Sequence, residues 1–454
     1  MKKALLLFVT LVFTGLSLLS PQEKIITVTY PASNEVPSYE NISSVTRKLG
    51  YSVGDSVDNI GNLYIRAWST HPTVFTFVGK DGTVSVCASD KSAKTTYVYE
   101  YDANLEELKT LRFENKFDQT GAFAKDDEGN YYIFFAKSSP GQNTENMVLD
   151  KYNPAGEIIN SYKLVAYAKN SFGGIKIPFD AGTCKIEISG SMIAVYLARK
   201  MFNGHQASYG FILNKNTFEK IDVGQVTDSG YTITGNNGMP YVSHSFNQFI
   251  LPIDDGFIFA DHGDAYPRGF IFSRFIAGKN TIRINALKFP GDTGVNATYA
   301  EMGGLVKIPD GYMFAGAYGK DRNNPRNVFI LTFDKNLEKC SAPVYLTSYT
   351  KNDGHAGHPK ITELDSGRYL LLWEQFSFST QTANVIESCA TGYLSTFALI
   401  INAQGKTISG PIEIKGIRLN MNDVLRYNPK NGQVYWTINN DSNSITVYAL
   451  NPSK

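Results

Sequence analysis

The sequence predicts an all-β fold, a single β-propeller built from four-stranded blades. Seven times along the chain, a turn glycine opens a short apolar run that is rich in aromatic residues. These runs recur about every 55 to 68 residues, and the segments around them alternate like strands and lack helical periodicity. Seven repeats of this kind predict seven blades. The glycines are Gly61, Gly129, Gly190, Gly256, Gly311, Gly367 and Gly432.

The composition agrees with a folded all-β protein and excludes one class of partner. Of the 454 residues, 43% are hydrophobic, 13% are aromatic and 39 are glycines. Lys and Arg total 43 against 42 Asp and Glu, so the chain lacks the basic surface with which nucleic-acid-binding proteins displace counterions. We therefore expect no nucleic-acid partner. The length alone would suggest two or three domains, but a closed propeller is one large domain.

The N-terminus predicts export. Lys2 and Lys3 precede an uncharged apolar run from Ala4 to Leu19, and a polar segment follows at Pro21. This order is typical of a secretory signal peptide. We expect residues 1–20 to be the signal peptide and residues 21–454 to form the propeller domain, secreted or otherwise extracytoplasmic. No later apolar stretch is long enough to cross a membrane, so no span is expected in the mature protein.

The fourth repeat displays the predicted blade most plainly. Its strands are expected at Gln248–Ile253, Gly256–Asp261, Gly269–Phe275 and Arg283–Phe289. The first two strands of the repeats are joined by turns rich in Asp and Gly. We interpret these turns as tight hairpins, which need positive φ, because no calcium-loop spacing accompanies them.

The seventh repeat supplies only three strands before the chain ends, at Asp423–Tyr427, Gln433–Ile438 and Ile445–Leu450. We expect the N-terminal strand to close this last blade, since closure removes exposed sheet edges. The alternating stretch Lys24–Tyr30 is the predicted closing strand.

Two repeats contain extra residues, and each of these segments bears a cysteine. Pro72–Lys94 in the first repeat and Ser377–Gly392 in the sixth are expected to form extra hairpins or to cover a site. Cys87 and Cys184 are predicted to be buried free thiols. Whether Cys340 pairs with Cys389 stays open, because connectivity does not follow from sequence.

All six histidines are predicted to lie on one face of the propeller. Strands alternate in direction, so the loops between second and third strands share a face with the connections that enter each repeat. Ligand sites of propellers are expected on this face, because its loops converge over the central channel. The histidines in these two kinds of loop are His71, His205, His244, His262, His355 and His358.

Two segments of the fourth repeat, Ser243–Gln248 and Asp261–Gly269, concentrate the polar chemistry on this face. Imidazole and phenol groups exchange protons near neutral pH, and Arg binds carboxylates or sulfates, so the set suits acidic or hydroxyl-rich ligands. Neighbouring loops add Arg326 and further polar groups. The predicted ligand-binding residues are His205, Gln206, His244, Asn247, Gln248, Asp261, His262, Asp264, Tyr266, Arg268, Trp373 and Glu374.

Two functions remain open at this stage. The first is a secreted module that recognises a glycan or another polar cell-surface ligand. The second is a polysaccharide-cleaving enzyme, a lyase or less favourably a glycoside hydrolase. In the lyase, a proton is moved by His244, His262 or Tyr266, and Arg268 neutralises a uronate carboxylate.

Each of these polar groups also has a structural interpretation. His262 and Asp264 would satisfy the loop backbone, and Arg268 would bridge blades. The candidate metal ligands are His355 and His358, although a lone pair of histidines falls short of the three or more ligands of a metal site, so a bound divalent metal stays open.

The strings Ser-His-Ser-Phe-Asn-Gln at 243–248 and Asp-His-Gly-Asp-Ala-Tyr-Pro-Arg at 261–268 resemble motifs of uncharacterised exported β-propeller proteins. The resemblance rests on the fourth repeat and is weaker elsewhere. It implies the propeller fold and export, and it implies no reaction.

Overall fold

The strands follow from the alternating, β-branched and aromatic-rich runs of the sequence. The computed structural model describes residues 24–25, 41–54, 72–90, 92–139, 141, 144–165, 174–179, 182–223, 226–228, 231–233, 239, 241–294, 298–321, 323–365, 367–378, 392–421 and 423–453. Within these ranges the secondary structure is all β, and no segment forms a helix that could cross a membrane. The all-β class is therefore confirmed.

The strands of the described residues are short and follow one another in hairpins. The first ten are β1 (Lys24–Ile25), β2 (Ile42–Lys48), β3 (Val74–Val78), β4 (Val84–Asp90), β5 (Thr95–Tyr101), β6 (Glu107–Glu114), β7 (Gln119–Lys125), β8 (Tyr131–Ala136), β9 (Glu145–Tyr152) and β10 (Ile158–Val165). The next ten are β11 (Ile177–Pro178), β12 (Cys184–Ser189), β13 (Met192–Lys200), β14 (Gln206–Asn214), β15 (Val226–Asp228), β16 (Tyr231–Ile233), β17 (Ser243–Ile253), β18 (Gly256–Tyr266), β19 (Arg268–Ile276) and β20 (Thr281–Lys288). The last eleven are β21 (Ala300–Ile308), β22 (Gly311–Tyr318), β23 (Asn327–Asp334), β24 (Val344–Tyr345), β25 (His355–Glu363), β26 (Arg368–Phe376), β27 (Tyr393–Asn402), β28 (Thr407–Ile414), β29 (Arg426–Asn428), β30 (Gln433–Asp441) and β31 (Ser444–Leu450).

These strands form mainly antiparallel sheets in which most neighbours along the chain are neighbours in space. Four sheets have four strands each: β3 to β6, β7 to β10, β25 to β28, and β29 to β31 with β2. A fifth sheet holds β21 to β24 and β1. The remaining ten strands form one sheet, in which β12 to β14 join β17 to β20 through the single pair Ala207 and Ser243.

The first strands of these groups contact one another around a ring, and this closed order is that of a β-propeller. β3 contacts β7, β7 contacts β12, and the contacts continue through β17, β21, β25 and β29 back to β3. The propeller fold is thus confirmed. The cycle favours the predicted count of seven blades, which stays a prediction because two of the groups share one sheet.

The core lies between the facing sheets. Phe272 of β19 packs on Phe314 of β22 with ring centroids 5.1 Å apart, and Tyr196 of β13 packs on Phe259 of β18 at 4.9 Å. Each apolar cluster of this kind draws residues from two neighbouring groups of strands, so burial holds the sheets side by side.

Two details of the strand assignment differ from the sequence prediction. The N-terminal strand that closes the last sheet is Ile42–Lys48, which pairs with β31, whereas Lys24–Ile25 pairs in parallel with β24. The segment Pro72–Lys94 is no insertion, because it contains β3 and β4, the first two strands of the first sheet. The turn glycine of that sheet is Gly82, at φ +89°, and the run at Gly61 lies outside the described residues.

The cysteines are consistent with the predicted thiols. Cys87 and Cys184 are free and fully buried. Cys340 carries a thiol that donates to the carbonyl of Ser341 at 3.3 Å. Cys389 lies outside the described residues, so its pairing remains open.

Candidate functional site

The polar residues of interest lie where the second strands end and the first strands begin, a side that we call the upper face. β17, β21 and β25 each change register near this end, between Ser243 and Gln248, between Met302 and Gly304, and between Gly357 and Lys360. Such bulges re-aim side chains and often lie next to functional sites. The five histidines among the described residues all lie at this side, as predicted, and His71 lies outside those residues.

Three residues of the third and fourth groups of strands form a chain, which we call the imidazole site: His205, His244 and Asp264. His205 Nδ1 and His244 Nε2 are hydrogen-bonded at 3.1 Å, and the two rings stack with centroids 5.4 Å apart. His244 Nδ1 lies 3.1 Å from Asp264 Oδ1. His205 is exposed, the His244 side chain is 20% exposed and Asp264 is fully buried, so the chain runs from solvent into the protein.

The backbone around the imidazole site is held in place by a buried arginine. Arg268 Nε donates to the carbonyl of Pro290 at 2.9 Å, and its Nη1 donates to the carbonyl of Asp264 at 3.0 Å. Gly294 N also donates to the Asp264 carbonyl, at 2.9 Å. These contacts give Arg268 a structural role, but they link β18 to the segment after β20 within the fourth group of strands, whereas the predicted structural role was a bridge between blades.

The backbone of His244 is in the left-handed region, with φ +53°. Non-glycine residues there cost of order 1 kcal/mol and cluster at functional sites. The Asp264 carboxylate is similarly costly, because neither of its oxygens makes a hydrogen bond with the described residues. The 3.1 Å approach of His244 is therefore an electrostatic contact rather than a well-aligned hydrogen bond.

His262 is buried between aromatic rings rather than at the surface. Its ring meets Phe270 and Phe289 edge to face, with centroids 5.2 Å and 5.4 Å away, and its Nε2 lies 2.8 Å from Thr298 Oγ1. Burial, with the positive charges of Arg268 and Arg326, lowers the pKa of His262 to about 3. This position favours a structural role over the predicted proton transfer.

Asp261, Asn247 and Gln248 are also buried, and Asp261 and Gln248 belong to a network between the third and fourth groups of strands. Asp261 accepts hydrogen bonds from Ser245 Oγ at 2.5 Å and from the hydroxyl of Tyr196. Burial raises the pKa of Asp261 to about 7, against these hydrogen bonds. Gln248 bonds Thr183 and Ser245, so Asp261 and Gln248 join strands beneath the site instead of facing a ligand.

Tyr266 is the exposed aromatic residue beside the imidazole site. Its side chain is 70% exposed at the end of β18, and in the strand register it lies opposite Ser243, next to His244. Gln206 begins β14 beside His205 and is half-buried. The surface part of the predicted site thus consists of Tyr266, Gln206 and the two imidazoles.

A second polar cluster lies in the fifth to seventh groups of strands; we call it the guanidinium cluster: Glu301, Arg326, His358, Glu374 and Arg418. All five side chains are buried. Glu301 Oε2 accepts from Arg326 Nη1 at 3.1 Å, and Glu301 Oε1 accepts from the backbone N–H of His358 at 3.0 Å.

The other carboxylate of the guanidinium cluster has three donors. Glu374 accepts from His358 Nδ1 at 2.5 Å, from Arg418 Nε at 2.8 Å and from the backbone N–H of Leu419 at 2.7 Å. Burial would lower the pKa of His358, but the charges of Glu374 and Glu301 outweigh it and raise that pKa. Arg418 also lies over the ring of Tyr393, 4.3 Å from its centroid.

Trp373 and His355 are core residues in this part of the molecule. Trp373 is fully buried, stacks on Phe397 at 5.6 Å and donates through Nε1 to the hydroxyl of Tyr349 at 2.9 Å. It cannot act as an exposed stacking platform. His355 lies edge to face with Phe376 at 6.0 Å, and burial lowers its pKa well below the usual range.

A metal site is not formed by the predicted pair His355 and His358. His358 Nδ1 is committed to Glu374, and the described ranges contain no group of three or more His, Cys, Asp or Glu arranged to hold a metal ion. The residues therefore do not form the ligand set that a metal needs.

The opposite end of the propeller channel carries a cavity of about 340 Å³, lined by the far halves of β17, β21, β25 and β29. Two ion pairs lie at this end: Arg426 donates to Glu187 at 3.0 Å, and Lys307 donates to Asp254 at 2.8 Å. Glu363 also lines the cavity, and burial raises the pKa of its carboxyl.

Sequence reasoning missed Glu301 and Arg418. Both occupy the same kind of position as His244, a connection or strand start that enters a repeat. Histidines were assigned to the upper face from their position in the repeat. The same assignment applied to acidic and basic residues would have found Glu301 and Arg418.

No family model and no curated protein matches the chain. Among solved structures, it is similar to a protein of unknown function from Dyadobacter fermentans, with a TM-score of 0.41 and 9% identity over 74% of this chain and 95% of that chain. It is also similar to the GH93 α-L-arabinofuranosidase of Fusarium graminearum, with a TM-score of 0.40 and 10% identity over 74% and 94% of the two chains. The α-L-arabinanase of Penicillium chrysogenum gives a TM-score of 0.39 and 12% identity over 74% and 94%. Similarity at this level says nothing about ligand or reaction.

Proposed function

We propose that the upper face binds a glycan or a similar hydroxyl-rich ligand at the imidazole site and Tyr266, in a protein that is exported. The observation that carries the proposal is the chain from buried Asp264 through His244 to exposed His205. When the imidazoles are neutral, a consistent arrangement places one proton on each Nδ1. His244 Nδ1–H then faces Asp264, and His205 Nδ1–H donates to His244 Nε2.

This arrangement leaves the lone pair of His205 Nε2 directed outward as a hydrogen-bond acceptor. Sugar hydroxyls donate to such an acceptor, and an exposed aromatic ring such as Tyr266 packs against the apolar face of a sugar. The strained backbone of His244 and the buried Asp264 carboxylate, which makes no hydrogen bond with the described residues, are costs that a ligand site explains better than folding does.

A microarray of neutral and acidic polysaccharides tests this function. The purified protein is expected to bind at least one glycan, and Tyr266→Ala and His205→Ala are expected to weaken that binding at least about tenfold. Leu108→Ala is the control, since Leu108 is 58% exposed on β6 and belongs to neither cluster. Binding of no glycan, or equal binding by all variants, would contradict the proposal.

A second candidate function, cleavage of the bound polysaccharide, is favoured by the same chain of proton carriers. In an elimination, His205 Nε2 would take the proton from the carbon next to a uronate carboxylate. The C–H electron pair forms a C=C bond as the C–O bond to the leaving sugar breaks, and the leaving oxygen takes a proton from water. Arg268 does not fill its predicted role, because it holds backbone carbonyls.

Unsaturated-uronate absorbance separates the two functions. A lyase produces it from polyuronates, and His205→Ala abolishes it. A binding module produces no such absorbance from any polyuronate that it binds on the array.

A further inference from the structure

The guanidinium cluster has more hydrogen-bond donors than acceptors. Arg326 Nε, Arg326 Nη2 and His358 Nε2 are buried and make no hydrogen bond with the described residues. Buried donors without partners cost about 1–3 kcal/mol each, so three in one cluster require an explanation. Both acceptor side chains of the cluster are already occupied, Glu374 by three donors and Glu301 by two.

The unpaired donors lie around one carboxylate. Arg326 Nη1 is 3.1 Å from Glu301 Oε2, and His358 Nε2 is 3.9 Å from Glu301 Oε1. His358 lies in the register shift of β25 between Gly357 and Lys360. A Cβ on Gly357 would come within 2.7 Å of the Phe376 ring and would lie in ordinary contact, at 3.5 Å, with Arg326 Nη2. The Phe376 ring therefore requires the glycine, and the guanidinium edge of Arg326 lies beside it.

The net charge of the guanidinium cluster also favours binding of an anion. Arg326, Arg418 and a protonated His358 carry three positive charges against the two carboxylates of Glu301 and Glu374. The two carboxylates favour that protonated form. One negative charge would complete the balance.

We propose that Arg326 and His358 form a binding site for one carboxylate group, supplied by an acidic ligand on the upper face. The guanidinium edge formed by Nε and Nη2 matches the two oxygens of a carboxylate, and His358 Nε2–H adds a third donor. Arg326 lies near both His262 and His355, because its charge lowers the pKa of each. The claim that the carboxylate comes from an acidic ligand rests on the proposed function. The claim that Arg326 and His358 form an anion site does not.

Thermal melting in chloride-free buffer tests the site with small probes. Sodium formate is expected to raise Tm saturably, and sodium methanesulfonate at equal ionic strength is not, because its sulfonate is bulkier. His358→Gln is expected to weaken the formate effect at least about tenfold, while His355→Gln, a buried His-to-Gln change in the same strand, retains it. Equal responses to both salts, or an unchanged response in His358→Gln, would overturn the site.

Two further experiments identify the source of the bound carboxylate and provide a second variant in case His358→Gln does not fold. Galacturonate is expected to stabilise the protein and galactose is not; a response to chloride or formate without one to galacturonate would overturn the ligand carboxylate. If His358→Gln fails to fold, Arg326→Lys replaces it, since Lys keeps a cation beside Glu301 and lacks the guanidinium edge. Failure of the glycan array with the formate response intact would reject the proposed function and leave the anion site standing.

Discussion

The two polar clusters of the upper face differ in which kind of group is left over. The imidazole site keeps a buried acceptor, the Asp264 carboxylate, behind an exposed pair of rings. The guanidinium cluster satisfies both of its carboxylates and keeps buried donors, on Arg326 and His358. The comparison teaches that two polar clusters on one face can be unbalanced in opposite senses, one in acceptors and the other in donors, whereas a purely structural network tends to pair its donors with its acceptors.

Removing a carboxylate should have very different effects in the two clusters. Glu374→Gln weakens the acceptor of three donors and leaves Arg418 with His358 in excess, so we expect a loss of about 3–5 kcal/mol of folding free energy. Asp264→Asn removes a buried charge that makes no hydrogen bond, so we expect a change within about 1 kcal/mol. Urea denaturation measures both.

Similar losses of folding free energy in Glu374→Gln and Asp264→Asn would contradict the distinction between a carboxylate that accepts several hydrogen bonds and one that accepts none.

Two neighbours beneath the imidazole site should show opposite pH dependence. His262 is neutral in the folded protein down to about pH 3, so unfolding takes up a proton below 6.5 and stability falls as pH falls from 6.5 to about 3. Asp261 stays protonated in the folded protein up to about pH 7, so stability falls as pH rises from 3.8 to about 7. In the shared window the two slopes, about 1.4 kcal/mol per pH unit each, largely cancel.

Single variants separate the slopes. Asp261→Asn should gain stability with rising pH between about 4 and 6.5 relative to the parent, and His262→Gln should lose it. Urea denaturation at three pH values in this window gives the sign of each slope.

In the guanidinium cluster, the raised pKa of His358 predicts a contribution to stability that is present below pH 6.5 and is lost as pH rises through the folded pKa. His358→Gln would remove that loss. If the free energy of unfolding depended on pH in the same way in the parent and in all three variants, these assignments of the pH dependence to Asp261, His262 and His358 would be wrong.

The smallest expected effect concerns the strained backbone of the imidazole site. His244→Asn should raise stability by a few tenths of a kcal/mol, up to about 1, because Asn tolerates the left-handed region better. The same variant should lose glycan binding. Thermal melting and the array measure the two effects, and a clear loss of stability would show that His244 serves the fold rather than a ligand.

The sequence was sufficient for the fold class and for the face that carries the histidines, because both follow from repeat spacing and strand alternation. It was insufficient for the closing strand: four of the seven residues of β2 are exposed, so its apolar alternation is weaker than that of Lys24–Tyr30, the segment predicted to close the last blade.

The sequence also could not separate Asp261 from Asp264. The two lie three residues apart on β18, yet one bonds Tyr196 across the sheets and the other meets His244. Trp373 was equally ambiguous, since the end of a second strand can face solvent or a neighbouring sheet.

The most direct test of the account is the ¹⁵N NMR spectrum of the histidine side chains, recorded with and without the polysaccharide selected on the array. We predict that the signals of His205 and His244 shift on binding while those of His262 and His355 stay in place. Shifts confined to the buried histidines, or binding without a change at His205 and His244, would contradict the assignment of the imidazole site.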